Sequence, residues 1–381
     1  MIKHYPDEFN YLMAEGNINA NHIKAAELIL THRCGNVHDH IFDVMGKYPQ
    51  TEKRPCIIND MDDNEFNLPK THPMREMWYE AGKDQMAIRQ IKKSDWSITT
   101  GQKLLKTFKQ LNSNVSIFRN MFDWELPQWN LDIEKTRDEM LGREFYQGKV
   151  IIGWAGLTSH FADLKRMHVF LKYIHDLHPN AVFVIAGMAL RDNKVEIIID
   201  QKTGQRTMKE QEITDYKETY KYKVEQLFSD FDQNRLKIFK ALPLEEYGKF
   251  YTLFDISLAY IEHNAFSSAK SEIKCVESMK YKAIPIFSLW GGYQDMCELM
   301  PKELRHQHIA ISTEFPKRWV DAISYWIEHR EEAQKVAQEL CNWAVPYYNL
   351  NEHIYERVEF FRQRIEEHSE EEILRVKSLL N

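Results

Sequence analysis

The sequence predicts an α/β protein of two doubly wound domains that face a cleft, and three observations carry that prediction. The chain has 381 residues, past the size at which one hydrophobic core stops growing. From Lys149 onward, short β-branched runs alternate with amphipathic segments, as in a parallel sheet with crossover helices. Those runs are almost continuously apolar, so both faces of the sheet are expected to be buried and the domain to be Rossmann-like. The first third of the chain repeats the alternation more weakly and is expected to form a second, reduced Rossmann-like domain.

In chain order, the first domain is expected over 1–148, with strands near 27–31, 56–60, 96–99 and 115–118 and a polar, aromatic-rich linker at 123–148. The second is expected over 149–345. Its strands are read at 150–154, 181–186, 236–239, 256–260, 284–287 and 309–312, and its helices include 161–177, 244–254 and 272–282. The stretch 190–232 exceeds an ordinary crossover, and its two alternating runs flank a Gly-containing turn. That pattern predicts a β-hairpin insertion followed by a helix. Residues 346–381 read as charged helices expected to cross back over both domains.

The apolar fraction of 43% and charged fraction of 28% lie near globular averages. No apolar run approaches the roughly 20 residues of a membrane helix, and the first residues lack the apolar core of a signal peptide. A soluble, cytoplasmic protein without a membrane span is the expectation. The five cysteines (Cys34, Cys56, Cys275, Cys297, Cys341) are scattered and never spaced CxxC, which argues against a disulfide framework or a zinc ribbon. A net charge of −7 argues against a surface that grips nucleic acid throughout, but charge is segregated locally. Between Lys83 and Arg119, eight Lys and Arg stand against Asp84 and Asp95, an excess of six.

The chemistry concentrates in AKSEIKCVESMKYKAIPIF, residues 269–287. Ser271 is a good N-cap for a helix that ends before the strand at 284–287. Lys270 and Lys274 beside the positive end of that helix are unfavourable unless an anion sits between them, and a diphosphate would satisfy them. Glu277 lies three residues after Lys274, on the same face, where its carboxylate can accept both hydroxyls of a ribose. From the helix alone, two solvated lysines with Glu277 as an ion-pair partner fit equally well. The first strand of the same domain runs into GWAGLTSHFADL. There Gly156, Thr158, Ser159 and His160 precede a helix and would aim backbone N–H groups at phosphate oxygens.

Together, IIGWAGLTSHFADL and the stretch from FKALPLEEYGKF through SSAKSEIKCVESMKYKAIPIF resemble the C-terminal domain of the retaining GT-B glycosyltransferases. CIINDMDDNEFNLP and DWSITTGQKLLKTFKQLNSNVSIFRNMFDW look like the acceptor-side domain of the same enzymes. The resemblance implies that Lys274 holds the donor diphosphate and Glu277 the ribose. It implies transfer of a sugar from a nucleotide-sugar, such as a UDP-sugar, to a hydroxyl with retention, and no further cofactor and no metal. Many relatives carry a carboxylate eight residues before the ribose-binding Glu, where this chain has Ala269, and a Gly-rich first loop that 1–21 does not supply.

On this reading His160, Lys274 and Asp60 are the catalytic candidates, and Leu242, in the segment 239–243, is placed to meet the base. His32, Arg33, Asp62, Asp63, Lys92 and Lys93 are expected on the acceptor side. The positive stretch favours an anionic acceptor, with a hydroxymethylated pyrimidine in DNA preferred over an envelope glycan or lipid-linked acceptor. The DxD in DMDD could ligate a metal in another glycosyltransferase fold, but that fold has no second α/β domain. His32, Cys34, His38 and His40 could be drawn as a zinc site but lack a second cluster at ligand spacing. Two rivals share the architecture, a nucleotide-sugar epimerase and a non-catalytic nucleotide-sugar-binding module.

Overall fold

The computed structural model describes residues 18–32, 36–47, 53–188, 193–199, 206–312 and 314–380. They form two compact units. The first contains the chain up to Asn67, Gly82–Met121 and the C-terminal stretch from Leu350; the second contains Leu68–Ala81 and Phe122–Asn349.

The first unit is built on four parallel strands in the order β1 (Leu28–His32), β2 (Cys56–Asp60), β3 (Trp96–Thr99), β4 (Val115–Ile117). Alternation within β2 assigns its two faces. Ile57 packs with Ile23, Ile29, Ile41 and Val44 on one side, and Cys56 and Ile58 pack with Ile98 and Phe361 on the other. Phe361 comes from the 31-residue C-terminal helix Leu350–Leu380, so the chain's last helix closes the sheet of its first domain.

The second unit carries six parallel strands: β5 (Val150–Ala155), β6 (Ala181–Met188), β9 (Leu236–Lys240), β10 (Ile256–Ala259), β11 (Ile284–Ser288) and β12 (Ala310–Ile311). Every residue of β5 and β11 is buried, as expected for strands covered on both faces. Gly153 in β5 is required by packing, because a Cβ there would lie 1.8 Å from the ring of Phe254. Helix Phe161–Leu177 turns Leu164, Met167, Leu171 and Ile174 inward, and Phe170 stacks on Trp319 at 5.1 Å. Strands β7 (Asn193–Ile199) and β8 (Arg206–Glu212) pair antiparallel as a separate hairpin, and helix Tyr220–Leu227 follows.

Several local expectations are corrected. The 123–148 segment is built into the second unit rather than stretched as a linker. Asp132 caps helix Ile133–Leu141, and Trp124, Trp129, Leu141 and Phe145 belong to the main core. The helix expected over 244–254 is a 3-10 turn, Leu244–Glu246, and a short helix, Lys249–Thr252. Gly248 separates them, and a Cβ there would lie 2.0 Å from the carbonyl oxygen of Gln128. The helix after Lys270 begins at Ile273, and its N-cap position is Glu272, not Ser271. It ends by Lys280, and Lys282 then adopts a φ of 57° to turn into β11. Among the described residues, no helix is long and apolar enough to cross a membrane.

Candidate active site

In the second sheet the strand order is β12-β11-β10-β5-β6-β9. The chain therefore winds outward from β5 in one direction, returns, and winds outward from β10 in the other. The carboxyl ends of β5 and β10 flank this reversal, the place where open α/β sheets open a crevice for ligands. Two loops leave from there. The β5 loop carries Gly156 and the 3-10 turn Thr158–His160 into helix Phe161–Leu177. The β10 loop carries Glu262, Asn264 and the turn Ser267–Ala269 into Lys270, Ser271 and helix Ile273–Lys280.

Lys274 is the most informative side chain in this crevice. Its Nζ is buried with no hydrogen-bond partner among the described residues; it lies 5.4 Å from the centroid of the Trp154 ring. Burial pulls this ammonium down to about 8, while Asp163 acts to hold it up. A buried, unpaired ammonium is expensive unless a ligand supplies the anion. Glycine makes the room: a Cβ at Gly156 would meet the Trp154 ring at 2.5 Å and the Lys274 Nζ at 3.2 Å. Gly187, at φ +89°, packs so closely that a Cβ there would approach the Gly156 backbone within 2.9 Å.

Glu277 is only 5% exposed. Burial pushes its carboxyl up to about 7, against a hydrogen bond from Tyr251 and the charge of Lys274. The Tyr251 hydroxyl also lies 3.4 Å from that of Tyr247. Lys270 sits in extended backbone just before the helix, with its Nζ 4.4 Å from the Phe266 ring centroid. His160 places Nδ1 2.8 Å from Asp163 Oδ2, and Asp163 Oδ1 accepts from the backbone N–H of Glu262 at 2.8 Å. Burial and the neighbouring Lys274 pull His160 down to about 4. Glu262 in turn accepts from Arg166 at 2.8 Å and from Thr71 at 3.2 Å. A cavity here is walled by Ser159, His160, Asp163, Glu262 and Lys270, with His72 from the segment Leu68–Ala81.

The second unit thus brings together Gly156, Lys270, Lys274 and Glu277 with the turn that holds Thr158, Ser159 and His160. Ser271 lies between Lys270 and the helix rather than at its cap position. Leu242 packs half-buried on the core, and Tyr247, from the same connection, has its hydroxyl pushed up by burial and then by the charge of Glu277. Sequence reasoning missed Asp163, Glu262, Gly187 and Tyr251. Asp163 stood within the GWAGLTSHFADL segment, where its spacing of three from His160 on a helix start was the available signal.

Asp60 belongs to the first unit, at the end of β2, where burial pushes its carboxyl up against the charges of His32 and Arg357. His32 pairs with Asp60 in the parallel register, and its Nδ1 lies 3.0 Å from the Asp60 carbonyl oxygen. Asp62 and Asp63 follow, half-buried. Arg33 and Cys34 lie outside the described residues. His38 is a packed core histidine, 4.8 Å from the Phe42 ring and pulled down to about 4 chiefly by burial. Lys92 and Lys93 are exposed in the last turn of helix Lys83–Lys93, with Lys93 3.7 Å and Arg89 3.4 Å from Asp39. Among the described residues, Cys56, Asp95 and His368 lie close enough to hold a metal. Arg54 already engages both oxygens of Asp95 at 2.8 and 2.6 Å, and burial keeps the Cys56 thiol up at about 12.

Two α/β units on separate parallel sheets, with loops gathered at the switch point of the second, are the layout of the GT-B fold. Among solved structures the chain is similar to Anabaena HepE in complex with UDP and glucose (TM-score 0.59, 14% identity, covering 89% of this chain and 79% of that one). It is also similar to the catalytic domain of Arabidopsis thaliana starch synthase IV bound to ADP and acarbose (TM-score 0.59, 10% identity, 89% and 73%). A third is a glycosyltransferase from Rickettsia africae (TM-score 0.58, 13% identity, 96% and 87%). At these identities the likeness is one of fold. No family model matches the sequence, and no curated protein does.

Proposed function

We propose that this protein is a glycosyltransferase that binds a nucleotide-sugar on its second unit and passes the sugar to a hydroxyl acceptor. The observation that carries the reading is the buried, unpartnered Nζ of Lys274 beside Gly156, with the Glu277 carboxylate one helical turn deeper. A diphosphate supplies the anion that Lys274 lacks, and a ribose supplies two donors to Glu277. As the bond to the sugar breaks, Lys270, Lys274 and the helix start stabilise the charge that develops on the departing diphosphate. Anabaena HepE, similar in fold, is described with UDP-glucose, which supports a UDP-sugar as donor. Retention of configuration follows the sequence resemblance.

The first unit is assigned to the acceptor, with Asp60, His32, Asp62 and Asp63 at the end of its sheet. Exposed Lys92, Lys103, Lys106 and Lys109 support an anionic acceptor, and hydroxymethylated DNA is the preferred one. The test crosses labelled nucleotide-sugars with hydroxymethylated DNA and lipid-linked acceptors. Transfer, or slow donor hydrolysis without acceptor, supports the reading. Formation of a C2 epimer would instead identify an epimerase, and binding without turnover a non-catalytic module.

A further inference from the structure

Asp163 lies in the first turn of helix Phe161–Leu177 and is 5% exposed. Both of its oxygens accept hydrogen bonds within the crevice: Oδ1 from the Glu262 backbone N–H and Oδ2 from His160 Nδ1, each at 2.8 Å. One carboxylate therefore ties the loop after β5 to the loop after β10. A carboxylate has no proton to give, so the proton shared with His160 resides on Nδ1. With burial and Lys274 pulling His160 down to about 4, the imidazole is neutral near pH 7, and its other nitrogen, Nε2, carries a lone pair. The charged groups that act on this ring are Lys274 and Lys270 from the β10 side and Asp163 from its own helix.

We infer that Asp163 is a positioning residue that fixes His160 in the Nδ1–H tautomer, so that Nε2 is offered to the ligand as a hydrogen-bond acceptor. An acceptor nitrogen suits a hydroxyl and opposes a bare phosphate oxygen, so the ligand group it meets is a hydroxyl of the transferred sugar rather than the diphosphate. The ligand assignment rests on the donor-site reading above; the tautomer assignment does not.

Asp163→Asn separates the two. Its amide oxygen can still accept from the Glu262 N–H, but its NH₂ now donates to His160 Nδ1 and moves the ring proton to Nε2. In ¹⁵N spectra of histidine-labelled protein, the wild type is expected to show His160 protonated on Nδ1 and the variant on Nε2. With Nε2 turned into a donor, the sugar hydroxyl must reverse its hydrogen bond and give up its own donation to the ring, which should lower kcat/KM for the nucleotide-sugar by about three- to tenfold. Because Asp163 also holds Lys274 up, UDP affinity is compared at about pH 6.5, where Lys274 stays protonated in both proteins, and there it should change by less than about twofold. A wild-type ring protonated on Nε2 overturns the inference whether or not the variant folds. So does a variant with the shifted proton and undiminished kcat/KM, or one in which UDP affinity falls as steeply as turnover. If wild-type protein neither binds UDP nor turns over any donor, the donor reading fails, and the spectra still decide the tautomer.

Discussion

Lys274 and Glu277 are held at the edge of their charged states, one pulled down to about 8 and the other pushed up to about 7, both chiefly by burial. A diphosphate needs Lys274 protonated, so UDP affinity should fall as pH rises above about 8. A ribose needs Glu277 ionised, so affinity should also fall as pH drops below about 7. Calorimetric titration of UDP from pH 6 to 9 is therefore expected to trace a narrow optimum between them; a flat profile would contradict this account of the two groups. The same burial bears on stability. A carboxyl whose folded value is raised contributes stability that is complete below its unfolded value near 4.5 and lost as pH rises through about 7. At pH 8 the wild type carries that whole cost, so Glu277→Gln should stabilise the fold by roughly 2–3 kcal/mol there and by much less at pH 5. Thermal unfolding at both pH values measures it, and the same variant should bind UDP more weakly. That Lys274 and Glu277 share one helix was legible in the sequence from their spacing of three. The tie from Asp163 to Glu262 was not, since it joins positions 99 residues apart.

At the scale of elements, strands were easier to read than helix ends. Buried strands such as β5 and β11 announce themselves as apolar runs, and their bounds in the structure lie within a residue of the expected ones. Helix limits depended on packing that no local pattern reveals. The expected 244–254 helix is split into a 3-10 turn and a short helix, with the Gln128 backbone so close to Gly248 that no side chain fits there, and the helix carrying Lys274 starts past Ser271 despite that residue's capping chemistry. The segment 123–148 was misread because polar composition masked four core side chains, Trp124, Trp129, Leu141 and Phe145. The end of β6 and the start of the loop after β5 approach closely, and a substitution there tests their coupling to the site. Gly187→Ala adds a Cβ within 2.9–3.2 Å of Gly156 backbone atoms at a φ of +89°. Strain of this kind should destabilise the protein by about 1–3 kcal/mol in urea unfolding. Because Gly156 borders the Lys274 Nζ, UDP affinity should fall with it; an unchanged affinity would uncouple the end of β6 from the site.

For the whole molecule, the doubling of an α/β layout was legible from the sequence alone, but the course of the chain between the two units was not. Leu68–Ala81 comes from the first third of the sequence yet packs within the second unit, and the helix from Leu350 returns to the first. Neither excursion leaves a periodic signal. The acceptor reading also belongs at this scale. If DNA is the acceptor, replacing Lys92 and Lys93 by Ala should raise its apparent KM and flatten the salt dependence by about 0.9 log units for each phosphate left without its lysine. Donor hydrolysis should be unaffected, and a neutral glycan acceptor would show no such response. The claim on which all of this depends is that the second unit binds a nucleoside diphosphate through Lys274 and Glu277, and calorimetric titration of UDP at pH 7.5 tests it most directly. Wild-type protein is expected to bind, and folded Lys274→Ala and Glu277→Ala are each expected to bind at least about tenfold more weakly, the effect of removing one charged hydrogen bond. Wild-type affinity in both variants would contradict the account.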